Sequence, residues 1–171
     1  MAKKVKVGKY SFGLSTILKA AVVVLGIVAF CMMFTNQVVF RAEVLGSQVV
    51  TEYKFNEVLF NVTEEVLGST VTQYGATLSF IGYLLILAGA ILVGVTLVSQ
   101  NKFSNYICIL AGFVMILGAI FVFVMIPAWS AANDGSSTKG LSLLFGPVFA
   151  GILACLGGLA SAGAAVLDIK K

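Results

Sequence analysis

Four runs of about 20 residues, at 14–34, 75–98, 106–126 and 147–167, are almost wholly apolar, and they constrain the fold more than any motif does. A bilayer's hydrocarbon core is about 30 Å thick and a helix rises about 1.5 Å per residue, so each run is long enough to cross it once. Composition agrees: the chain is 60% hydrophobic and 11% charged, with a mean hydropathy of +1.06. Water-soluble domains carry nearer a quarter charged residues. The expectation is an all-α integral membrane protein, a four-transmembrane-helix bundle forming a single membrane domain over 1–171. Lys19 is the only formal charge within the four runs, near the end of the first. Its stem would let the ammonium reach the headgroups, so it is expected to be an anchor and not a buried charge.

Basic residues set the orientation. With the N-terminus inside, Lys3, Lys4, Lys6, Lys9, Lys19, Lys102, Lys170 and Lys171 share that side, eight of the eleven, leaving Arg41, Lys54 and Lys139 outside. Both termini are therefore expected to be cytoplasmic, in a plasma (cell) membrane, with outer loops at 35–74 and 127–146. Cleavage of the first run as a signal peptide is not expected: no small-x-small site follows it, and Phe30 stands before Cys31 where a lipobox needs a small residue.

The first outer loop alternates. Val38, Phe40, Ala42 and Val44 fall on one face against Arg41 and Glu43, and Val49, Thr51, Tyr53 and Phe55 face away from Glu52, Lys54 and Asn56. That period of two predicts a small extracytoplasmic β-hairpin over 38–55, half-buried and turning at or near Gly46, with an irregular loop as the alternative. A lone hairpin is marginal in water. Its expected apolar partner is Val58, Leu59 and Phe60 with Val62, Val66 and Leu67, as a short helix or third strand. The loop carries a net charge of −3, read as a solvated surface, and Asn61-Val62-Thr63 matches the N-glycosylation pattern. In the second loop Trp129 suits an interfacial belt, and residues 141–145 lie along the interface or form an extra turn of the fourth helix, which starts most simply at Pro147.

Helices in lipid associate through close packing, which small residues permit. Ala150, Ala154, Gly158 and Ala162 recur every four residues, widened by Gly157, Ser161 and Gly163; Gly82, Gly89, Ala90 and Gly94 mark the second run, and Gly112 and Gly118 the third. Most of these are expected to pack within one bundle, with the strip on the fourth run the first candidate for a neighbouring subunit. Phe40, Arg41, Tyr53, Phe55 and Phe60 are the expected partner contacts of the outer loop.

The chemistry of the chain is sparse. With no histidine there is no imidazole for general-base catalysis or proton relay, and Cys31, Cys108 and Cys155 sit singly on different runs, so no catalytic residue, metal site or cofactor is expected. No phosphate-binding glycine motif occurs, and no nucleic-acid partner is expected. Glu57, Glu64 and Glu65 are the acids from which an enzymatic surface site would have to be built.

Four spans with both ends inside, a long partly β first outer loop and a shorter second one form a layout similar to claudins and their relatives. The resemblance covers the topology of the whole chain and no motif: claudins carry a Trp, a Gly-Leu-Trp and a cysteine pair in the first outer loop, where this chain has neither Trp nor Cys. Likeness of layout transfers no function. The expected function is that of a non-enzymatic structural, adaptor or accessory subunit of a membrane assembly, surrounded by membrane lipid and bound to a protein partner or to further copies of itself. The alternative is an oligomeric channel or transport component.

Overall fold

The computed structural model describes residues 4–7, 10–66, 69–99, 103–133 and 138–169. Four helices in it are long and apolar enough to cross a membrane: α1 (Leu14–Cys31, continued by a 3-10 turn, Met32–Phe34), α3 (Thr77–Val98), α4 (Ser104–Phe123) and α6 (Phe145–Ile169). They form a square in which α1 and α4 each pack against both α3 and α6. Their outer faces leave large apolar side chains exposed, among them Val24, Ile91, Phe113, Ile120 and Leu159.

Proline sets two of the boundaries. Pro127 has no N–H for the carbonyl of Phe123 and its ring crowds that carbonyl, so α4 stops there. The chain resumes as a short helix, α5 (Met125–Ala132), with Pro127 in its first turn. Pro147 lies likewise in the first turn of α6, where a missing donor is harmless.

Glycine makes the bundle tight. A Cβ placed on Gly82 would lie 2.8 Å from the Gly118 carbonyl oxygen, and one on Gly118 2.6 Å from that of Gly82, so α3 and α4 touch backbone to backbone. Gly112 and Gly158 make the same reciprocal contact between α4 and α6, each Cβ falling 2.7 Å from the other's carbonyl. At the centre the fully buried Met115 of α4 fills space left by Gly26, Gly89 and Gly157, one from each of the other three helices. Thioether flexibility suits such an irregular hole.

Polar residues of the long helices are hydrogen-bonded inside the bundle. Ser79 donates to the Phe121 carbonyl at 2.9 Å and Ser161 to that of Cys108 at 2.6 Å, while Thr96 donates to the Val93 carbonyl at 2.8 Å and lies 3.2 Å from the Cys108 thiol.

Lys19 departs from its expected role as an anchor. It is 6% exposed and pairs with Asp168 at 2.9 Å, because α6 runs past 167 and brings that carboxylate against α1. The pair is a buried bridge between the first and last spans. Asp168→Asn should lower stability by roughly 1–2 kcal/mol, below the range for fully buried pairs because the aspartate keeps a fifth of its surface. Lys19→Leu with Asp168→Leu should recover most of that in a thermal melt in micelles. A single variant melting like the parent would show the bridge to be without consequence.

Strands gather at the opposite end of the bundle. β3 (Val38–Val44) and β4 (Ser47–Tyr53) form the expected hairpin, paired from Val38↔Tyr53 to Val44↔Ser47. Its third strand is not drawn from 58–67. β7 (Leu141–Leu143) fills that place, pairing with the base of β3; of the segment 141–145, expected to lie along the interface or form an extra turn of the fourth helix, the first three residues are thus a strand, and Phe145 begins α6 two residues before Pro147. The short-helix alternative holds for the start of 58–67: Val58 and Leu59 are buried in α2 (Phe55–Leu59), in one core with Val38 of the hairpin base, whereas β5 (Val62–Val66) pairs with β6 (Ser69–Gln73) in a second hairpin, and Leu67 lies outside the described residues. β4 is exposed on both faces until Tyr53, unlike the half-buried strand expected, because the hairpin extends past the packed base formed by Val38 and Val39. A further hairpin, β1 (Lys4–Val7) with β2 (Tyr10–Gly13), precedes α1. The basic residues Lys3, Lys9, Lys102, Lys170 and Lys171 lie outside the described residues.

Candidate functional site

The strand end is joined to the bundle through one buried amide. Gln37 is fully buried, and its Nε2 donates to the carbonyls of Thr35 at 2.7 Å, Met33 at 2.8 Å and Met32 at 3.2 Å, closing the last turn after α1. Its Oε1 accepts from the equally buried Tyr83 hydroxyl of α3 at 2.8 Å. The backbone continues the junction: Gln37 N–H donates to the Tyr53 carbonyl at 2.9 Å, and Leu144 N–H to the Gln37 carbonyl at 3.0 Å. One residue thus fixes α1, α3, the sheet and the start of α6 to each other.

Beside this junction the loop between α1 and α3 and the loop between α4 and α6 line an open cavity of about 370 Å³. Phe40 and Tyr53 line it from the three-stranded sheet, with Leu141 from β7. Trp129 and Asn133 face it from the end of α5, and Val71, Thr72 and Gln73 from β6. Tyr53 and Trp129 meet edge to face with ring centres 4.9 Å apart. Trp129 of α5 is buried against the sheet, 4% exposed. Its indole N–H has no hydrogen-bond partner among the described residues.

Asn133 pins the second hairpin to this site. Its Oδ1 accepts from Tyr74 N–H at 2.9 Å, and its Nδ2 donates to the Tyr74 and Trp129 carbonyls, each at 2.8 Å. Asn61, the sequon asparagine, acts in the same way, accepting from Gly75 N–H at 3.0 Å. Gly75 must be glycine there: a Cβ would lie 2.5 Å from the backbone of Leu59 and Phe60.

The expected partner-contact residues separate into three groups. Phe40 and Tyr53 line the cavity. Arg41 is exposed on β3, its N–H donating to the Gly140 carbonyl at 2.8 Å. Phe55 and Phe60 belong to a ladder of rings, Phe34–Phe55–Phe60–Phe80, that covers α2 and the top of α3. The turn near Gly46 was expected from the sequence, but Leu45 beside it was not singled out and is the hairpin's most unusual residue. Leu45 has φ +52° beside Gly46 at φ +79°, and its side chain is fully exposed.

The acids of the loop between α1 and α3 do not gather. Glu57 accepts the Lys54 N–H at 2.9 Å as a cap for α2, Glu52 accepts from Asn36 at 2.7 Å, and Glu64 and Glu65 are exposed on β5. Among the described residues no three His, Cys, Asp or Glu side chains come together.

Among the expected packing residues, Ala150 and Ala154 are fully buried and Gly158 meets Gly112, while Ala162 is half-buried beside that crossing. Gly89 and Gly118 serve the α3–α4 contact. Gly94 differs: a Cβ there would find only Val23, at 3.7 Å, and the residue floors an apolar groove between α1 and α3 lined also by Ile27, Leu87 and Ile91. The chain matches no protein-family model and no curated protein.

Proposed function

We propose that this protein is a non-enzymatic, multi-pass membrane protein, with both termini cytoplasmic, that serves as an adaptor or accessory subunit by presenting its outer hairpin to a protein partner. Leu45 carries the reading. A left-handed backbone costs an ordinary L-residue roughly 1–2 kcal/mol, and at such a turn asparagine or glycine relieves it. A fully exposed leucine held there, with Val49 and Val50 exposed on the neighbouring strand, contributes nothing visible to the fold. Strain and exposed apolar surface kept together suit a contact made with another molecule. The belt of apolar side chains around the bundle suits lipid, and the placement of lysines suits the orientation. The accessory reading is favoured over a channel because the polar side chains at Ser79, Thr96 and Ser161 are buried in contacts within the bundle and line no open path.

Leu45→Asn tests it. The variant should melt up to about 1 kcal/mol more stably, because the turn is relieved, yet lose the proteins that co-purify with the parent after gentle solubilisation. An unchanged set of co-purifying proteins would overturn the reading.

A further inference from the structure

The cavity between the outer loops has a chemistry of its own, distinct from the hairpin tip. We propose that it binds a neutral pyranose unit, either as a soluble sugar or as the headgroup of a glycolipid.

None of the cavity's lining side chains is charged. An ionised ligand would lose its hydration there and find no counter-charge, so a neutral ligand is preferred. The lining divides into two kinds of surface. Phe40, Tyr53, Trp129 and Leu141 offer aromatic and aliphatic walls against which a flat C–H face can lie. The buried Trp129 indole N–H has no hydrogen-bond partner among the described residues, and the Tyr53 hydroxyl and the Gln73 amide line the cavity beside it. A hydroxyl and an amide each donate and accept, the pattern that matches ligand hydroxyls. An alkyl chain would satisfy the walls and leave the buried indole N–H unpaired. A pyranose ring presents an apolar face and a hydroxyl-bearing edge at once, and the cavity volume falls in the range of small-molecule sites. It is built from both loops at the end of the bundle where α3 begins and α4 ends, so a headgroup as well as a free sugar is a candidate source.

The chain's single tryptophan is in the wall of this cavity, so its fluorescence reports on occupancy. The full chain in phosphatidylcholine nanodiscs, free of glycoside detergent, is titrated with maltose and with N-acetylglucosamine, and separately reconstituted with a monoglucosyl diacylglycerol. Hexanol and glucuronate serve as apolar and anionic controls. A saturable emission shift with either sugar, or with the glycolipid alone, supports the proposal, and the arm that responds identifies the source. Gln73→Leu and Tyr53→Phe should each weaken binding by about tenfold, as loss of one hydrogen bond implies, while Arg41→Ala leaves it unchanged. Two outcomes overturn the proposal: no saturable shift with any sugar up to about 100 mM, weaker than any useful site, or equal binding of hexanol or glucuronate and of both variants. Leu45→Asn, which tests partner capture, should leave the sugar response intact, so failure of one reading is separable from failure of the other.

Discussion

Gln37→Leu should lower the stability of the protein by about 3 kcal/mol, close to the largest effect expected of any one polar side chain in it. The substitution keeps the volume and removes an amide that serves four partners. Two hydrogens on Nε2 are shared among the carbonyls of Met32, Met33 and Thr35, and Oε1 takes the Tyr83 hydroxyl. Leucine would strand the buried Met33 carbonyl and the Tyr83 hydroxyl together, and each unsatisfied buried group costs about 1–3 kcal/mol. Tyr83→Phe should cost less, about 1–2 kcal/mol, because it orphans only Oε1. The double variant should fall well short of the sum, since both changes remove the same bond. Thermal melts of the four proteins in micelles measure this, and strict additivity would show that the two side chains do not depend on each other.

The parts of this fold that were legible in the sequence are those fixed by local pattern. Apolar runs long enough to cross a bilayer mark the four helices to within a few residues, and the alternation from Val38 to Phe55 marks a hairpin turning at or near Gly46, which forms between Val38 and Tyr53. Features that depend on distant pairing were not legible. β7 is three residues long, too short for a period to register, and becomes a strand only because β3 offers it an edge. Lys19 carries an anchor's sequence signature, and nothing local says that Asp168 waits 2.9 Å away on the last helix. Gln37 looks like one more loop amide until the closing turn of α1 aims three carbonyls at it. The outer cavity was half legible. Phe40 and Tyr53 were marked by their alternation, whereas Trp129, Asn133 and Gln73 reach it from segments that the chain brings together only when both loops fold.

Glycine content pointed to close helix contact without saying which glycines make it, and two substitutions on one helix now separate them. Gly158→Leu should be severely destabilising, by at least roughly 3 kcal/mol, at the upper end of what overpacking costs. The new Cβ would fall 2.7 Å from the Gly112 carbonyl and 2.7 Å from Ile116 Cγ1. A side-chain tip can turn aside, but a backbone carbonyl within a helix cannot, so α4 and α6 must part along their whole contact. Ala150 and Ala154 would lose their fully buried surroundings in the same step. Gly163→Leu, five residues along the same helix, should do the reverse: a Cβ there meets nothing within 4 Å, and leucine is the better helix former by about 0.8 kcal/mol. The parent, Gly158→Leu and Gly163→Leu are compared by thermal melt and by particle mass after gentle solubilisation. Equal damage from both would contradict the packing described for α6. Unchanged melting with a reduced particle mass in Gly163→Leu would assign the lateral contact between subunits to the open side of α6, since the strip around Gly158 is already occupied by α4.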